Sequence, residues 1–409
     1  MSNKPELLSP AGDPERLQMA VRFGADAVYL AGKAYGMRAK CGNFDEDELL
    51  QAVRFCHSRG VKVYVTVNVL ARTAEIRQMP PFLELCQDAG VDAFILGDLG
   101  VFQTAKRYAP RVERHISTQM GVVSADTARA WYELGAKRVV LARELTFEEI
   151  REIRENIPGE LELEAFVHGA MCVSFSGRCL LSNYLADRDA NHGACAQPCR
   201  WKYALMEERR PGAYFPVEED DGGTYIMNSR DLCMIDYIPE LIAAGINSFK
   251  IEGRAKSAYY AACVTNAYRH GIDAAAAGRL LEPVWRDEVE KISHRHYYQG
   301  FYFGQPQQGQ FYEDARYIRD WDVVAYVVAC DEEGNAVLTQ RGRFWKDDTL
   351  ELLIPGREPM LVKVGEMTNA DGQSIDYCPH PEMEIHMRLP VAAPEYSILR
   401  RKVDEKTSK

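Results

Sequence analysis

Positive charge is in short supply. The chain's 409 residues hold 49 Lys and Arg against 60 Asp and Glu, a formal net charge of −11. A chain whose mean field repels phosphate is no general polyanion binder, so a nucleic-acid partner has to be met by a local patch. Long apolar runs are missing too: no stretch approaches the roughly 18 to 20 apolar residues of a helical membrane span. The opening MSNKPELLSPAGD lacks the basic segment and apolar run of a secretory leader. The expectation is a cytoplasmic protein, where clustered cysteines read as metal ligands or redox groups rather than disulfides. Three catalytic signatures are absent as well. No Gly-x-Gly-x-x-Gly follows a strand-like run, which argues against a dinucleotide fold. No His-Glu-x-x-His zinc motif occurs. No Gly-x-Ser-x-Gly elbow occurs either; the nearest approach, around Ser176, lacks the first glycine.

What is present describes a globular chain. Hydrophobic residues make up 46% and charged residues 27%, and the length fits two or three domains. One phrase recurs: a helix-like stretch, a glycine, a small or β-branched residue, a polar residue, then an apolar run. It starts at Gly24, Gly60, Gly90, Gly135 and Gly245. The physics is a helix ended by glycine in the left-handed conformation, followed at once by a buried strand. Helices are expected over 45–59, 80–89, 124–134 and 236–244. Strand candidates at Glu6-Leu-Leu, His115-Ile-Ser-Thr and Leu161-Glu-Leu-Glu-Ala-Phe-Val bring the strand total to eight. Strands alternating with helices imply parallel βαβ units, and eight of them an α/β fold of the (β/α)8 TIM-barrel type. An open doubly wound sheet is the competing reading.

In a barrel, residues just past each strand's C-terminal end line the site. These are Ser9, Asn68, Asp98, Gln119, Arg143, Glu144, His168, Lys250, Glu252 and Arg254, and some, Asp98 among them, serve equally well as helix caps. Lys250, Glu252 and Arg254, at period two, are expected on one face of an extended segment.

The rhythm breaks between 169 and 235, and a connection this long is usually functional. It holds Cys172, Cys179, Cys195 and Cys199, separated by six, fifteen and three residues, with Cys233 at its end. Cys41, Cys56, Cys86, Cys263, Cys330 and Cys378 are scattered and read as small packed hydrophobes. Four thiols grouped in a reduced compartment favour a metal site, and the spacing leaves both zinc and an iron–sulfur cluster open.

The stretch Glu164-Ala-Phe-Val-His-Gly-Ala-Met-Cys-Val-Ser-Phe-Ser-Gly-Arg-Cys-Leu-Leu-Ser182 resembles the signature of peptidase family U-32, the collagenase-like family. Glu164, Phe166, Gly169, Cys172, Gly177, Cys179 and Ser182 are in register. Glu6-Leu-Leu-Ser-Pro-Ala-Gly12, Gly24-Ala-Asp-Ala-Val-Tyr29, Gly193-Ala-Cys-Ala-Gln-Pro-Cys-Arg-Trp201, Asn228-Ser-Arg-Asp-Leu232 and Lys250-Ile-Glu-Gly-Arg254 extend the resemblance along the chain. Within the family the layout is similar to the tRNA hydroxylation branch, which forms 5-hydroxyuridine at the wobble position; a related branch acts on a cytidine of 23S rRNA and another on ubiquinone. The resemblance implies a 4Fe–4S cluster on Cys172, Cys179, Cys195 and Cys199, and prephenate as hydroxyl donor in place of O2. Prephenate carries two carboxylates, so Arg143, Arg178, Lys250 and Arg254 become candidates to hold it, with Asn68 and Gln119 as further substrate contacts. His168 and Glu252 are candidates to move protons. The partners implied are tRNA, held locally, and prephenate; a paralogous subunit is a further candidate. A protease remains the rival from another class, although the residues offer no complete triad. Another RNA target is the rival within the class.

Residues 1–275 are thus expected to form the barrel with its insertion, 276–320 a connector, 321–400 a small all-β barrel, and 401–409 a disordered tail. In the connector, His294-Arg-His-Tyr-Tyr-Gln-Gly-Phe-Tyr-Phe-Gly304 reads either as a linker packed on the barrel or as aromatics for stacking unpaired bases.

Overall fold

The computed structural model describes residues 4–36, 42–171, 230–304 and 317–403, with isolated positions between 182 and 224. Seven strands follow one another through the first domain: β1 (Glu6–Pro10), β2 (Ala27–Leu30), β3 (Lys62–Val67), β4 (Ala93–Leu96), β5 (Glu113–Ile116), β6 (Arg138–Val140) and β7 (Glu162–Ala170). After the insertion come β8 (Asp231–Cys233) and β9 (Ser248–Ile251). β1 to β7 pair in parallel in sequence order, and β9 closes the barrel by pairing in parallel with both β1 and β7. The eight strands are those expected, five from the repeated phrase and three from the further candidates, and the open doubly wound sheet is excluded by the closure.

The helices between them are α1 (Pro14–Arg22), α2 (Glu46–His57), α3 (Thr73–Gln78), α4 (Pro80–Ala89), α5 (Leu99–Tyr108), α6 (Ala125–Leu134), α7 (Phe147–Glu155), α8 (Ile238–Ala243), α9 (Ala258–Ala276) and α10 (Pro283–Glu288). Local chemistry sets their ends. Asp13 accepts from Arg16 N to start α1, and Asp45 with Glu48 makes a reciprocal capping box on α2. Gly90 and Gly135, which end α4 and α6, have φ of +86° and +105°. That is the left-handed region that lets the chain turn straight into a strand.

The insertion leaves and returns at one place. β8 runs antiparallel to the far end of β7, pairing Asp231 with Ala170, Leu232 with Gly169 and Cys233 with His168. The root of the insertion is therefore a ladder at the C-terminal end of the barrel. β10 (Tyr297–Tyr298) then adds in parallel to β8. The segment read from sequence as a connector accordingly contains α10 and a strand of the main sheet. Tyr302 is buried and donates to Phe166 O at 2.6 Å, and Tyr297 donates to Val289 O at 2.7 Å. These rings pack on the barrel and are not presented for stacking bases.

The second domain is antiparallel: β11 (Trp321–Cys330), β12 (Asn335–Gln340), β13 (Thr349–Leu353), β14 (Met360–Lys363), β15 (Met367–Asn369), β16 (Ser374–Ile375), β17 (Glu384–Arg388) and β18 (Ile398–Lys402). The order β14-β13-β18-β11-β12-β17-β15-β16 forms a half-barrel around its own apolar cluster. The tail expected from residue 401 is corrected for its first residues, because Arg401 and Lys402 pair with Asp322 and Trp321 in β18. Leu353 and Ile398 pack into the core of the first domain, so the two domains share apolar surface. Among the described residues, no helix is long and apolar enough to cross a membrane.

Candidate functional site: the barrel mouth

The barrel interior holds charge where Val, Ile and Leu usually fill the layers. Arg138, only 3% exposed, donates to Glu6 at 2.6 Å, Glu162 at 2.6 Å and Glu164 at 3.0 Å. Lys250 Nζ donates to the other oxygen of Glu164 at 2.9 Å and lies over the rings of Tyr29 and Phe166. Glu6 also accepts from Tyr64 at 2.7 Å and Ser248 at 3.1 Å. Burial alone would raise the carboxyls of Glu6 and Glu164, but Arg138 on the first, and Lys250 and Arg138 on the second, hold both below the usual range. Burial and the nearby Arg138 keep His115 neutral, edge-on to Tyr64. A charge sealed this deeply survives only with partners. Sequence reading found Lys250 here and missed Arg138, Glu6, Glu162 and His115. The available signal was charge at period two in otherwise apolar strands, as in Glu162-Leu-Glu164.

Above this layer, at the C-terminal ends of the strands, polar groups converge. Arg254 donates to Thr66 Oγ1 at 2.8 Å and Asn43 Oδ1 at 3.0 Å, tying the loop after β9 to β3 and to the loop after β2. Its carbonyl lies so close to Gly12 that a Cβ there would collide with it. Asn68 Nδ2 donates to Gln119 Oε1 at 2.7 Å across the β3 and β5 ends. Arg143 donates to Ala170 O at 3.1 Å and sits over Phe166. Asn68, Gln119, Arg143 and Arg254 thus gather at the mouth, while Lys250 lies beneath it. The expected common face of Lys250, Glu252 and Arg254 is corrected: β9 ends at Ile251 with a register shift after Lys250, and Lys250 and Arg254 reach separate partners. Glu252 is half-buried at the rim, its backbone carbonyl accepting from Tyr260 at 2.8 Å.

Of two further mouth candidates, Ser9 is corrected and Asp98 takes the helix-cap role that was its alternative reading. Ser9 points outward to Thr265 of α9 at 2.9 Å. Asp98 caps α5 by accepting from Val101 N at 2.9 Å. His168 is enclosed rather than open to the mouth. It is 1% exposed, between the rings of Tyr260, Tyr268 and Tyr297, with Nε2 3.4 Å from the Tyr297 hydroxyl. Burial, helped by the neighbouring Lys256 and Arg286, keeps it neutral. Beside it in the ladder, Cys233 is buried, and burial pushes its thiol up to about 12.

Cys172, Cys179, Cys195, Cys199 and Arg178 lie outside the described residues. Of the described residues nearby in sequence, Met171 is buried just past β7, and Ala196 N donates to Ser182 Oγ at 2.9 Å. That bond joins the chain just after Cys195 to the chain just after Cys179. Among the described residues, no group of three or more His, Cys, Asp and Glu side chains is arranged to hold a metal ion.

Fold and site together define a (β/α)8-barrel protein with a polar C-terminal mouth, an insertion rooted beside that mouth, and an appended β half-barrel. Within this class the chain belongs to peptidase family U32: residues 12–311 match the model of peptidase family U32 and residues 319–400 that of the family's C-terminal domain. The chain is 38% identical to tRNA hydroxylation protein P1 of Bacillus subtilis, over 95% of this chain and 93% of that protein. It is 33% identical to tRNA hydroxylation protein P of Escherichia coli, over 99% of this chain and 98% of that one. An uncharacterized protease of Methanocaldococcus jannaschii is 44% identical over 73% of each chain.

Proposed function

We propose that this protein is a tRNA-modifying enzyme that hydroxylates the wobble uridine to 5-hydroxyuridine. The observation that carries this is similarity running through both domains to two proteins named for tRNA hydroxylation. The likeness to the protease-named relative spans 73% of the chain. A protease would need a nucleophile, a base and an orienting acid in contact. Neither His115 nor His168 is placed to serve as that base, since both are walled in and neutral.

The reaction proposed uses prephenate as hydroxyl donor instead of O2, with a 4Fe–4S cluster on Cys172, Cys179, Cys195 and Cys199. The donor set suits such a cluster, which is held by cysteine thiolates. The Ala196–Ser182 bond supports it by drawing two of the cysteine-bearing stretches together. When bound, a four-thiolate cluster supplies electron transfer. Arg143 and Arg254 are the mouth candidates to take prephenate's carboxylates, with Arg178 the third. Lys250, committed to Glu164, would support the site from below. Glu252 is the partly exposed candidate for moving a proton; His168, enclosed, would act through Tyr297.

The test is mass spectrometry of tRNA nucleosides from a deletion strain. Loss of 5-hydroxyuridine, restored by this chain but not by Cys172→Ser, is expected. Unchanged 5-hydroxyuridine with loss of a hydroxylated rRNA cytidine would replace the substrate. Loss of neither, with gelatin cleavage by purified protein, would restore the protease. Anaerobically purified protein without iron would remove the cluster.

A further inference from the structure

We propose that Arg143 and the Tyr298 hydroxyl form a carboxylate seat at the mouth, and that its ligand is a small organic acid. The proposal rests on the reading above, in which the mouth receives such an acid, and carries it to one guanidinium edge and one hydroxyl. Two observations support it.

The first is an arginine without a counter-charge. The sealed cations of the barrel have theirs: Arg138 has Glu6, Glu162 and Glu164, and Lys250 has Glu164. Arg254 spends Nη1 on Thr66 and Nη2 on Asn43. Arg143 differs. It is half-buried, its Nη1 donates to a neutral acceptor, Ala170 O, at 3.1 Å, and its Nε is closed off from water with no hydrogen-bond partner. No Asp or Glu among the described residues makes an ion pair with it. A buried polar atom left without a partner calls for an explanation, and a missing ion is one of the few available. A partly buried charge without a counter-ion calls for it more strongly. With Nη1 taken, the guanidinium keeps the edge formed by Nε and Nη2, and two parallel N–H groups on such an edge match the two oxygens of a carboxylate. The edge is also held in place. Nη1 ties it to the end of β7, and the guanidinium rests over the Phe166 ring at 5.3 Å. A group already ordered loses less entropy when a ligand arrives.

The second observation is Tyr298. It lies on β10, 9% exposed. Its neighbours Tyr297 and Tyr302 donate to carbonyl oxygens, whereas the Tyr298 hydroxyl has no hydrogen-bond partner among the described residues. Burial pushes this phenol up to about 12, so it is a neutral donor. Of the charges that act on it, Arg143 comes first, ahead of Asp231, Glu144 and Arg230. Asp231 has Lys256 at 3.9 Å. Asp231 and Glu144 are thus matched in number by Lys256 and Arg230, and the surplus is the single charge of Arg143. One positive unit beside one neutral donor suits one carboxylate. It does not suit the phosphate run of a nucleic acid, which the net charge of −11 repels as well.

The test is isothermal titration calorimetry of the anaerobically purified full-length protein with prephenate, and separately with an anticodon stem-loop RNA. The wild type should bind prephenate. Arg143→Gln should weaken that binding by about ten- to hundredfold, the size of a hydrogen bond to a charged group. Arg143→Lys keeps the charge without the two-pronged edge and should recover only part of the loss. Tyr298→Phe should weaken binding by about three- to tenfold, the size of a neutral hydrogen bond. RNA affinity should change by no more than about threefold in any of them. A merely structural role would lower the melting temperature of the ligand-free variants; the expectation is that this temperature holds and only the rise induced by prephenate is lost. If Arg143→Gln does not fold, Arg143→Lys and Tyr298→Phe decide. Wild-type affinity for prephenate in a folded Arg143→Gln overturns the proposal and leaves the acid to be held elsewhere. Loss of RNA binding with prephenate binding intact overturns it too, and gives the seat to a phosphate. A wild type that does not bind prephenate overturns both the seat and the proposed donor. The tRNA function stands apart from all three, because the nucleoside analysis decides it separately.

Discussion

Arg400 is the largest fully buried side chain among the described residues, and replacing it tests how the two domains are joined. It lies on β18, in the second domain. Its guanidinium donates to Glu351 of the same domain and reaches across to Glu288 of α10, to the Tyr259 hydroxyl at 3.1 Å and to Cys263 Sγ at 3.3 Å. Arg400→Met keeps the stem and removes the charge. Glu288, fully buried, is then left with Lys291 at 2.9 Å, which it shares with Glu351. Stranding a buried charge costs about 3–5 kcal/mol, and the remaining lysine puts this case near about 3 kcal/mol. That is a large part of the roughly 5–15 kcal/mol that holds a typical fold together.

Urea unfolding followed by tryptophan fluorescence measures it, since Trp285 and Trp321 report from the two sides of the junction. The wild type should unfold in one transition, and Arg400→Met at a clearly lower midpoint. Adding Glu288→Gln should recover about half the loss, because the stranded charge is then gone. The reasoning is refuted if Arg400→Met lies within about 0.5 kcal/mol of wild type, the usual range of a neutral surface change. It is refuted equally if the double variant is no more stable than the single one.

Other outcomes follow from the same geometry. Glu164→Gln strands Lys250 and should cost about 3–5 kcal/mol by urea titration, while Glu164→Gln with Lys250→Met should recover part of that. The Glu6 and Glu164 carboxyls are held below their ordinary value of 4.5. Their contribution is therefore complete above that pH and lost as the pH falls below it, and Glu164→Gln should make the acid limb of stability against pH shallower. His115 and His168 are held neutral, well below the usual 6.5, so unfolding below that pH takes up protons. Stability should fall on acidification from pH 7 to 5 by up to roughly 1 kcal/mol per pH unit for each histidine, and His168→Phe should flatten the curve. Gly12→Ala drives a methyl group against the Arg254 carbonyl; a loss of about 1–3 kcal/mol, with weaker RNA binding, is expected in parallel unfolding and binding assays.

Much of the barrel was legible because its cause is local. A helix ended by a left-handed glycine and followed by a buried strand is written within a dozen residues, and the five phrases at Gly24, Gly60, Gly90, Gly135 and Gly245 each deliver a strand of the closed sheet. Mouth residues such as Asn68 and Gln119 were legible for a related reason, since a barrel strand's last residues must face its C-terminal end. What the amino-acid order left open is pairing over distance. Arg138 meets Glu6 across 132 positions, and Arg254 meets Asn43 across 211. Nothing in the flanking residues of either arginine names its partner. His168 sits at the end of a strand and reads as a mouth residue until α9 and β10 fold over it. Arg400 reads as the last, charged residue of the small β-barrel until β18 carries it into the junction between domains. The sequence alone determined the repeating units and the residue types brought to the mouth, because both follow from short-range backbone and side-chain preferences. Only tertiary structure decided which charges are sealed, which are shared and which face the mouth, because those outcomes depend on burial, and burial is a property of the whole packed chain.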